Sequence, residues 1–189
     1  MAQADFTEQE KQQIKEAVAK AEGQTSGEIV PYFLERSDNY DEAIWRGGAL
    51  FSGLALLSAY FFYSLNLDYW PAFDFSQVLL AILLAGGLGV LLPMYIAPLR
   101  RALAGSVLIQ RRVSARALEA YLEEEVFQTR DRTGILLFVS MFEHRVQVLG
   151  DSGINARVQQ SDWEHVVRLI VDGIKQKRPA DGLIAAIEA

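Results

Sequence analysis

Two stretches of this 189-residue chain contain no Asp, Glu, Lys, Arg or His. Residues 47–67 read GGALFSGLALLSAYFFYSLNL, and residues 75–99 read FSQVLLAILLAGGLGVLLPMYIAPL. Each is longer than the roughly 18 apolar residues that mark a membrane-spanning helix. The alternative is a pair of core helices, but a small domain cannot bury two such helices on every side. The two stretches therefore dictate a helical hairpin in an apolar medium, with the rest of the chain built outside it.

The segment between them, residues 66–74, carries Asp68, Tyr69, Trp70, Pro71 and Asp74 and no basic residue. Tyr69 and Trp70, with Trp45 at the opposite end of the first stretch, suit the headgroup level. Arg36 and Arg46 precede the first stretch, and Arg100, Arg101, Arg111 and Arg112 follow the second. Positive charge flanking a span stays cytoplasmic, so both termini are expected in the cytoplasm and the turn outside it. These arginines, with Arg116, are also placed to meet anionic lipid. The opening residues, MAQADFTEQEKQQ, are too polar for a signal peptide, which makes the first span the expected insertion signal. The chain has no cysteine, which excludes disulfides and thiolate metal sites. A net charge of −6 argues against nucleic acid as a partner.

Outside the hairpin, local signals alternate between helix and strand. Thr7 and Glu10 form a capping box ahead of a helix over residues 8–22, with Ile14, Val18 and Ala21 on one face and Gly23 at its end. Residues 28–34, EIVPYFL, read as a strand in which Pro31 removes a ladder donor and so points to an edge or a bulge. Residues 101–126 read as helical, with Leu118, Tyr121, Leu122 and Val126 on one face. A charged turn at 130–133 leads into GILLFVS, residues 134–140, an unbroken apolar run suited to a central strand covered on both faces. Residues 145–149 alternate as a second strand. Ser161 and Glu164 read as another capping box, opening a helix to about Lys177 with Trp163, Val166, Val167, Ile170 and Ile174 toward a core. Pro179 breaks that helix and Asp181 caps a last short one through Ile187. One helix and one strand before the hairpin cannot bury a core alone. The expected organisation is therefore one α/β domain contributed by residues 1–45 and 101–189, interrupted by the hairpin at 46–100. Completion by exchange between subunits would look the same in sequence.

With these elements in place, the segments TSGEIVPYF (25–33), RTGILLFVSMFEHRVQVLGDSGIN (132–155), Trp163 and ADGLIAAI (180–187) resemble the TPM domain family in its bacterial membrane-protein branch. The resemblance implies an α/β/α sandwich around a short mixed sheet, here in a two-pass protein of the bacterial inner membrane. It implies a role in the assembly or maintenance of membrane complexes, with a LemA-like membrane protein or a second copy as partner. Calcium binding and acid phosphatase activity are also attributed to members of the family. This sequence departs from the family in two ways. The hairpin sits inside the domain, and the acidic stretch before the central strand is here Thr129-Arg130-Asp131-Arg132-Thr133-Gly134. Two arginines beside one aspartate suit a hard cation poorly.

Three sets of residues are candidates for chemistry. Glu28, Glu143 and Asp151 are the carboxylates that would hold Ca²⁺ or Mg²⁺ if they converge at one sheet edge. Otherwise they cap amides or pair with Arg130, Arg132 and Arg145. For phosphoryl transfer, Asp151 is the candidate nucleophile, Arg132 (or Arg130 or Arg145) the charge clamp and His144 the proton donor. GDSGIN lacks the phosphate-loop spacing, however, and Gly150 and Gly153 also fit a turn closed by Asp151. His144 is expected in a hairpin turn beside Glu143, and His165 at the boundary of its helix. The third set lies in the spans: Ala49-x-x-x-Gly53 and Ala85-x-x-x-Gly89 either pack the hairpin on itself or form a lateral interface. No Asp, Glu, Lys, Arg or His lies within the spans, so transport is not expected. The chain reads as a binding or assembly factor, with a phosphatase or a calcium-responsive module as alternatives.

Overall fold

The computed structural model describes residues 6–24, 27–65 and 74–189. Thr25, Ser26 and most of the interspan turn, including Asp68, Tyr69, Trp70 and Pro71, lie outside the described residues. In chain order the elements are α1 (Glu8–Glu22), β1 (Glu28–Leu34), α2 (Asp41–Ser64), α3 (Phe75–Tyr95), α4 (Ala97–Ala104), α5 (Ser106–Glu123), β2 (Gly134–Ser140), β3 (Arg145–Gly150), α6 (Ser152–Asn155), α7 (Gln160–Lys175) and α8 (Pro179–Glu188). They fall into two compact units, one formed by Met1–Ser37 with Arg111–Ala189 and the other by Asp38–Gln110.

The discontinuous unit is built on a three-stranded mixed sheet in the order β1-β2-β3. β1 runs parallel to β2, with Glu28 opposite Gly134 and Leu34 opposite Ser140; β3 returns antiparallel, with Arg145 opposite Ser140 and Gly150 opposite Ile135. GILLFVS is the central strand and β1, with Pro31, is an edge. Strand alternation sorts the side chains onto two faces. Ile29, Phe33, Ile135, Leu137, Val139, Val146 and Val148 pack on Ile14 and Ala17 of α1, Ile170 of α7 and Leu183, Ala186 and Ile187 of α8. On the other face Tyr32 stacks on Phe138, with ring centroids 5.6 Å apart. There α5 supplies the cover: Arg116 donates to the Tyr32 hydroxyl at 2.8 Å and Ser114 to Gln147 at 3.3 Å. The layering is α/β/α.

Local signals set most helix ends. At α1 the Thr7 hydroxyl accepts from the Glu10 amide at 3.3 Å, and the Glu10 carboxylate accepts from the Thr7 amide at 2.8 Å. Three boundaries differ from the sequence expectation. The capping box of α7 is Gln159 with Asp162, whose Oδ2 accepts from the Gln159 amide at 3.0 Å, so Ser161 and Glu164 lie inside the helix. Pro179 does not break a helix; it starts α8, where its missing N–H costs nothing, and Asp181 falls in the first turn. The helix expected over 101–126 is split at Gly105, which takes a left-handed φ of 78°. Its buried face is also shifted: Val113, Ala117 and Ala120 are buried and Leu118 and Leu122 are each 56% exposed. Of the expected face, Tyr121 is half-buried and Val126, just past α5, is fully buried. Where α7 and α8 cross, Gly173 and Gly182 meet so closely that a Cβ on Gly173 would lie 2.5 Å from the Gly182 Cα.

The second unit is the hairpin. Helices α2 and α3, of 24 and 21 residues, are long and apolar enough to cross a membrane. Their crossing places Gly47 against Gly89, Gly48 against Val90 and Gly86 against Ser52. Asp74 caps α3, accepting from the Phe75 amide at 2.9 Å, and Gln77 completes the box. The helix ends at Tyr95 instead of continuing to residue 99. The reason is Pro98, which has no N–H for the Met94 carbonyl. Arg100 takes over, donating to the carbonyls of Pro93 at 2.8 Å and Met94 at 3.0 Å. Arg46 closes α4 in the same manner, reaching Leu103 at 3.1 Å and Ala104 at 2.9 Å.

Candidate functional site

The sheet has two ends, and the candidate residues divide between them. The first end gathers the start of β1, the start of β2 and the finish of β3. Glu28 opens β1 there and is exposed. Asp151 follows β3 and is only 8% exposed. Its Oδ1 accepts from the Ser152 amide at 2.6 Å, capping the short α6, and lies 3.7 Å from Arg132 Nη1. Its Oδ2 is buried. The loop carrying Arg132 is stitched to this place by backbone bonds, from Asp151 to the Gly134 carbonyl at 2.9 Å and from Gly153 to the Arg132 carbonyl at 2.8 Å. Gly153 has no room for a side chain against the carbonyls of Asp131 and Arg132. Arg132 itself has a φ of 56°, in the left-handed region, and its side chain is 65% exposed. Half-buried Tyr121 completes the group. Burial and the Asp151 carboxylate both hold its phenol above the usual range, and Arg132 opposes them.

The opposite end holds the hairpin turn between β2 and β3. Glu143 is 5% exposed. Its Oε1 accepts from the Ser37 amide at 2.8 Å, and its Oε2 accepts a short hydrogen bond from the Ser140 hydroxyl. Ser37 and Ser140 share a further hydroxyl bond of 2.8 Å. Arg36 lies over the Phe142 ring at 5.8 Å, and the amides of Met141 and Phe142 donate to the carbonyls of Leu34 and Glu35 at 3.0 and 2.8 Å. The turn therefore grips the segment that leaves β1. His144 sits in it with a φ of 52°, exposed.

These placements correct two groupings drawn from sequence. Glu28 and Asp151 share one end, but Glu143 lies a strand length away, about 20 Å at 3.3 Å per residue. The three carboxylates do not converge, and among the described residues no group of three His, Asp or Glu is placed to hold a metal ion. A divalent cation wants several oxygens. Asp151 offers a carboxylate already engaged by an amide and a guanidinium, so the Glu28–Glu143–Asp151 grouping does not fit calcium. The second correction concerns catalysis. Asp151 and Arg132 are together, but His144 and Arg145 are at the far end of β3 and cannot serve Asp151 as proton donor and clamp. Sequence reasoning missed Tyr121 as a neighbour of Asp151, and it missed the Ser37–Ser140–Glu143 network. Nothing in local spacing announces either one.

In the hairpin unit the small residues divide as well. Gly89 is consumed by the crossing with Gly47, and Ala85 is half-buried. A Cβ on Gly53 would meet nothing within 4 Å among the described residues beyond its own helix backbone, and Ala49 is exposed. The crossing also uses Gly47 and Gly48, which sequence reading passed over, although Gly48 and Ser52 are themselves a small-residue pair at the same spacing.

Comparison with known proteins places this geometry. Residues 106–189 match the sequence model of the TPM domain family, a stretch that runs from the first residue of α5 through α8. In fold the chain is similar to the NMR structure of the BA42 protein from the psychrophilic bacterium Bizionia argentinensis. The TM-score is 0.54 at 18% identity, covering 98% of this chain and 79% of that one. A likeness at that identity is one of fold. The curated proteins gave no match. Over residues 106–189, from the start of α5 through α8, the chain is similar to the TPM domain family.

Proposed function

We propose that this chain is a membrane-anchored accessory factor whose TPM domain binds another membrane protein or complex. The observation that carries the reading is the surface of the hairpin. Leu54, Leu57, Phe61, Leu83, Leu84 and Leu88 all stand more than half exposed on α2 and α3. Such a face is costly in water and stable in lipid. Helices of this length reach about 32–36 Å at 1.5 Å per residue, enough for a hydrocarbon core of about 30 Å. Arg46 and Arg100 cluster at the end of the hairpin opposite Asp74, which supports a cytoplasmic position for both termini in a bacterial inner membrane. In the domain, the distance between Asp151 and His144 favours binding over catalysis. A LemA-like membrane protein or a second copy is the partner the family brings forward.

Purification in a gentle detergent followed by mass spectrometry tests the reading. A membrane protein recovered in stoichiometric amount is expected; a strictly monomeric, partner-free chain would overturn it. A second reading, phosphomonoester hydrolysis, draws on the Asp151–Arg132 contact. It requires that the purified chain cleave a generic phosphomonoester and that Asp151→Asn abolish the cleavage.

A further inference from the structure

We propose that the outer edge of β3 accepts an extended segment of a partner protein, which joins the sheet as a fourth strand with its alternate side chains in the groove beside α7. The proposal rests on the accessory-factor reading and names the surface through which it works.

The phase of the ladder identifies the open groups. Asp151 donates to the Gly134 carbonyl, so this antiparallel pair is hydrogen-bonded inward. Bonded and non-bonded pairs alternate along an antiparallel ladder. Leu149, Gln147 and Arg145 therefore also face β2, while Gly150, Val148 and Val146 turn their N–H and C=O groups outward. The Asn155 side chain gives independent support, since its Nδ2 donates to the Gly150 carbonyl at 2.6 Å from the outer side. Asn155 closes that end of the edge and leaves Val146 and Val148 open.

The two edges of the sheet are treated differently. On β1, Pro31 has no N–H to offer and the Ile29 amide donates to Glu22 Oε1 at 3.0 Å. Both devices blunt an edge against strand addition. On β3, among the described residues, neither Val146 nor Val148 is protected in this way. Beside them lies a groove of about 450 Å³, floored by Val146, Val148, Trp163 and Val167 and rimmed by Glu164 and Arg168.

The dimensions select the occupant. An edge about 20 Å long and roughly 10 Å wide offers on the order of 200 Å². That is well below the about 800 Å² per partner of a stable globular interface, so a second folded copy is poorly matched. A linear segment is well matched, because main-chain bonds supply the affinity and alternate side chains fill the groove. Its recognition elements are free amides opposite Val146 and Val148 and small apolar side chains at every second position.

The test uses the full-length chain in detergent and a fluorescein-labelled hexapeptide of alternating threonine and valine, followed by fluorescence anisotropy. Saturable binding is expected, together with slowed hydrogen exchange of the Val146 and Val148 amides. Val148→Pro removes an outward-facing donor and leaves the β2–β3 ladder bonds in place, though it also trims a side chain that packs on the core and the groove floor, and it should weaken binding at least tenfold. Val167→Glu charges the groove without touching the backbone and should do the same, which keeps the test valid if the proline variant misfolds. Absence of peptide binding, or binding unchanged in a folded Val148→Pro protein, overturns the proposal. So does a self-association that Val148→Pro abolishes while the peptide never binds. A membrane partner that co-purifies equally with the Val148→Pro protein sinks the edge and leaves the accessory-factor reading standing. Peptide binding with no partner recovered does the reverse.

Discussion

Replacing Glu143 by alanine separates a structural role from a surface one. The carboxylate is buried and accepts from the Ser37 amide and the Ser140 hydroxyl. Hydrogen bonds to a charged group contribute about 1.5–3 kcal/mol each. Ser140 is 1% exposed, so its bond deserves the full range; Ser37 is half-buried, and water can replace part of what it loses. The bond between the two hydroxyls survives the substitution and softens the loss further. Together these give about 2–4 kcal/mol of destabilisation. For a domain of this size that corresponds to a fall in Tm of about 10 °C. The assay is thermal unfolding of the full chain in detergent, monitored by intrinsic fluorescence, for wild type, Glu143→Ala, Ser140→Ala and the double variant. Because Ser140 donates to Glu143, the double variant should lose at least about 0.5 kcal/mol less than the sum of the single ones. An exposed turn residue changes stability by no more than about 0.5 kcal/mol. A fall in Tm below about 2 °C, or strict additivity with Ser140→Ala, refutes the argument.

Other substitutions probe the remaining features. Gly173→Ala forces a Cβ to within 2.5 Å of the Gly182 Cα and 2.9 Å of the Arg178 carbonyl, where only backbone can yield. A loss of about 1–3 kcal/mol is expected by chemical denaturation, with no rescue from raising the apolar content nearby. Tyr121 has a raised pKa in the folded state, so its contribution is complete below the usual phenol range and is lost as pH rises through the folded value. Asp151→Asn should lower that pKa, read as a tyrosinate difference titration against Tyr121→Phe; an unchanged value would show that burial alone sets it. Calcium at millimolar concentration, or its removal by a chelator, should move Tm by less than about 1 °C, because the carboxylates are dispersed. A calcium-dependent rise would place a site in a region the Glu28–Glu143–Asp151 grouping does not describe.

The sequence disclosed what is encoded over a few neighbouring residues. The Thr7–Glu10 box, the edge position of Pro31 and the buried run at 134–140 all follow from chemistry within one turn or one strand. Helix phase was harder to read on α5. Leu118 and Leu122 are more apolar than Ala117 and Ala120, yet the alanines are buried and the leucines are exposed, so residue hydrophobicity alone misplaces the face. The candidate site was the least legible part. His144 and Asp151 are near in sequence, but the six residues of β3 lie extended between them and set them at opposite ends of the sheet. Tyr121, thirty positions away, is the group that senses Asp151. Glu143 likewise finds its donor at Ser37, a separation of 106 residues that no periodicity records. Carboxylates were visible in the sequence, but their convergence was not.

The parallel pairing of β1 with β2 also sets a schedule for synthesis. Glu28 faces Gly134, so the first strand leaves the ribosome long before β2, its sheet neighbour among the described residues, exists. At about 5–20 residues per second the wait is on the order of 5–20 s, while β-hairpins form in microseconds. During that interval EIVPYFL is an exposed apolar strand with nothing to pair with. Pro31 and the Glu22 bond to the Ile29 amide blunt only its outer side; the side that will meet β2 stays open. The β2–β3 hairpin can close locally as soon as it appears, whereas β1 must return across the whole intervening chain. Elongation past the hairpin and docking of β1 are thus separate steps, and a pause or truncation between residues 38 and 133 leaves an unpaired strand that invites aggregation.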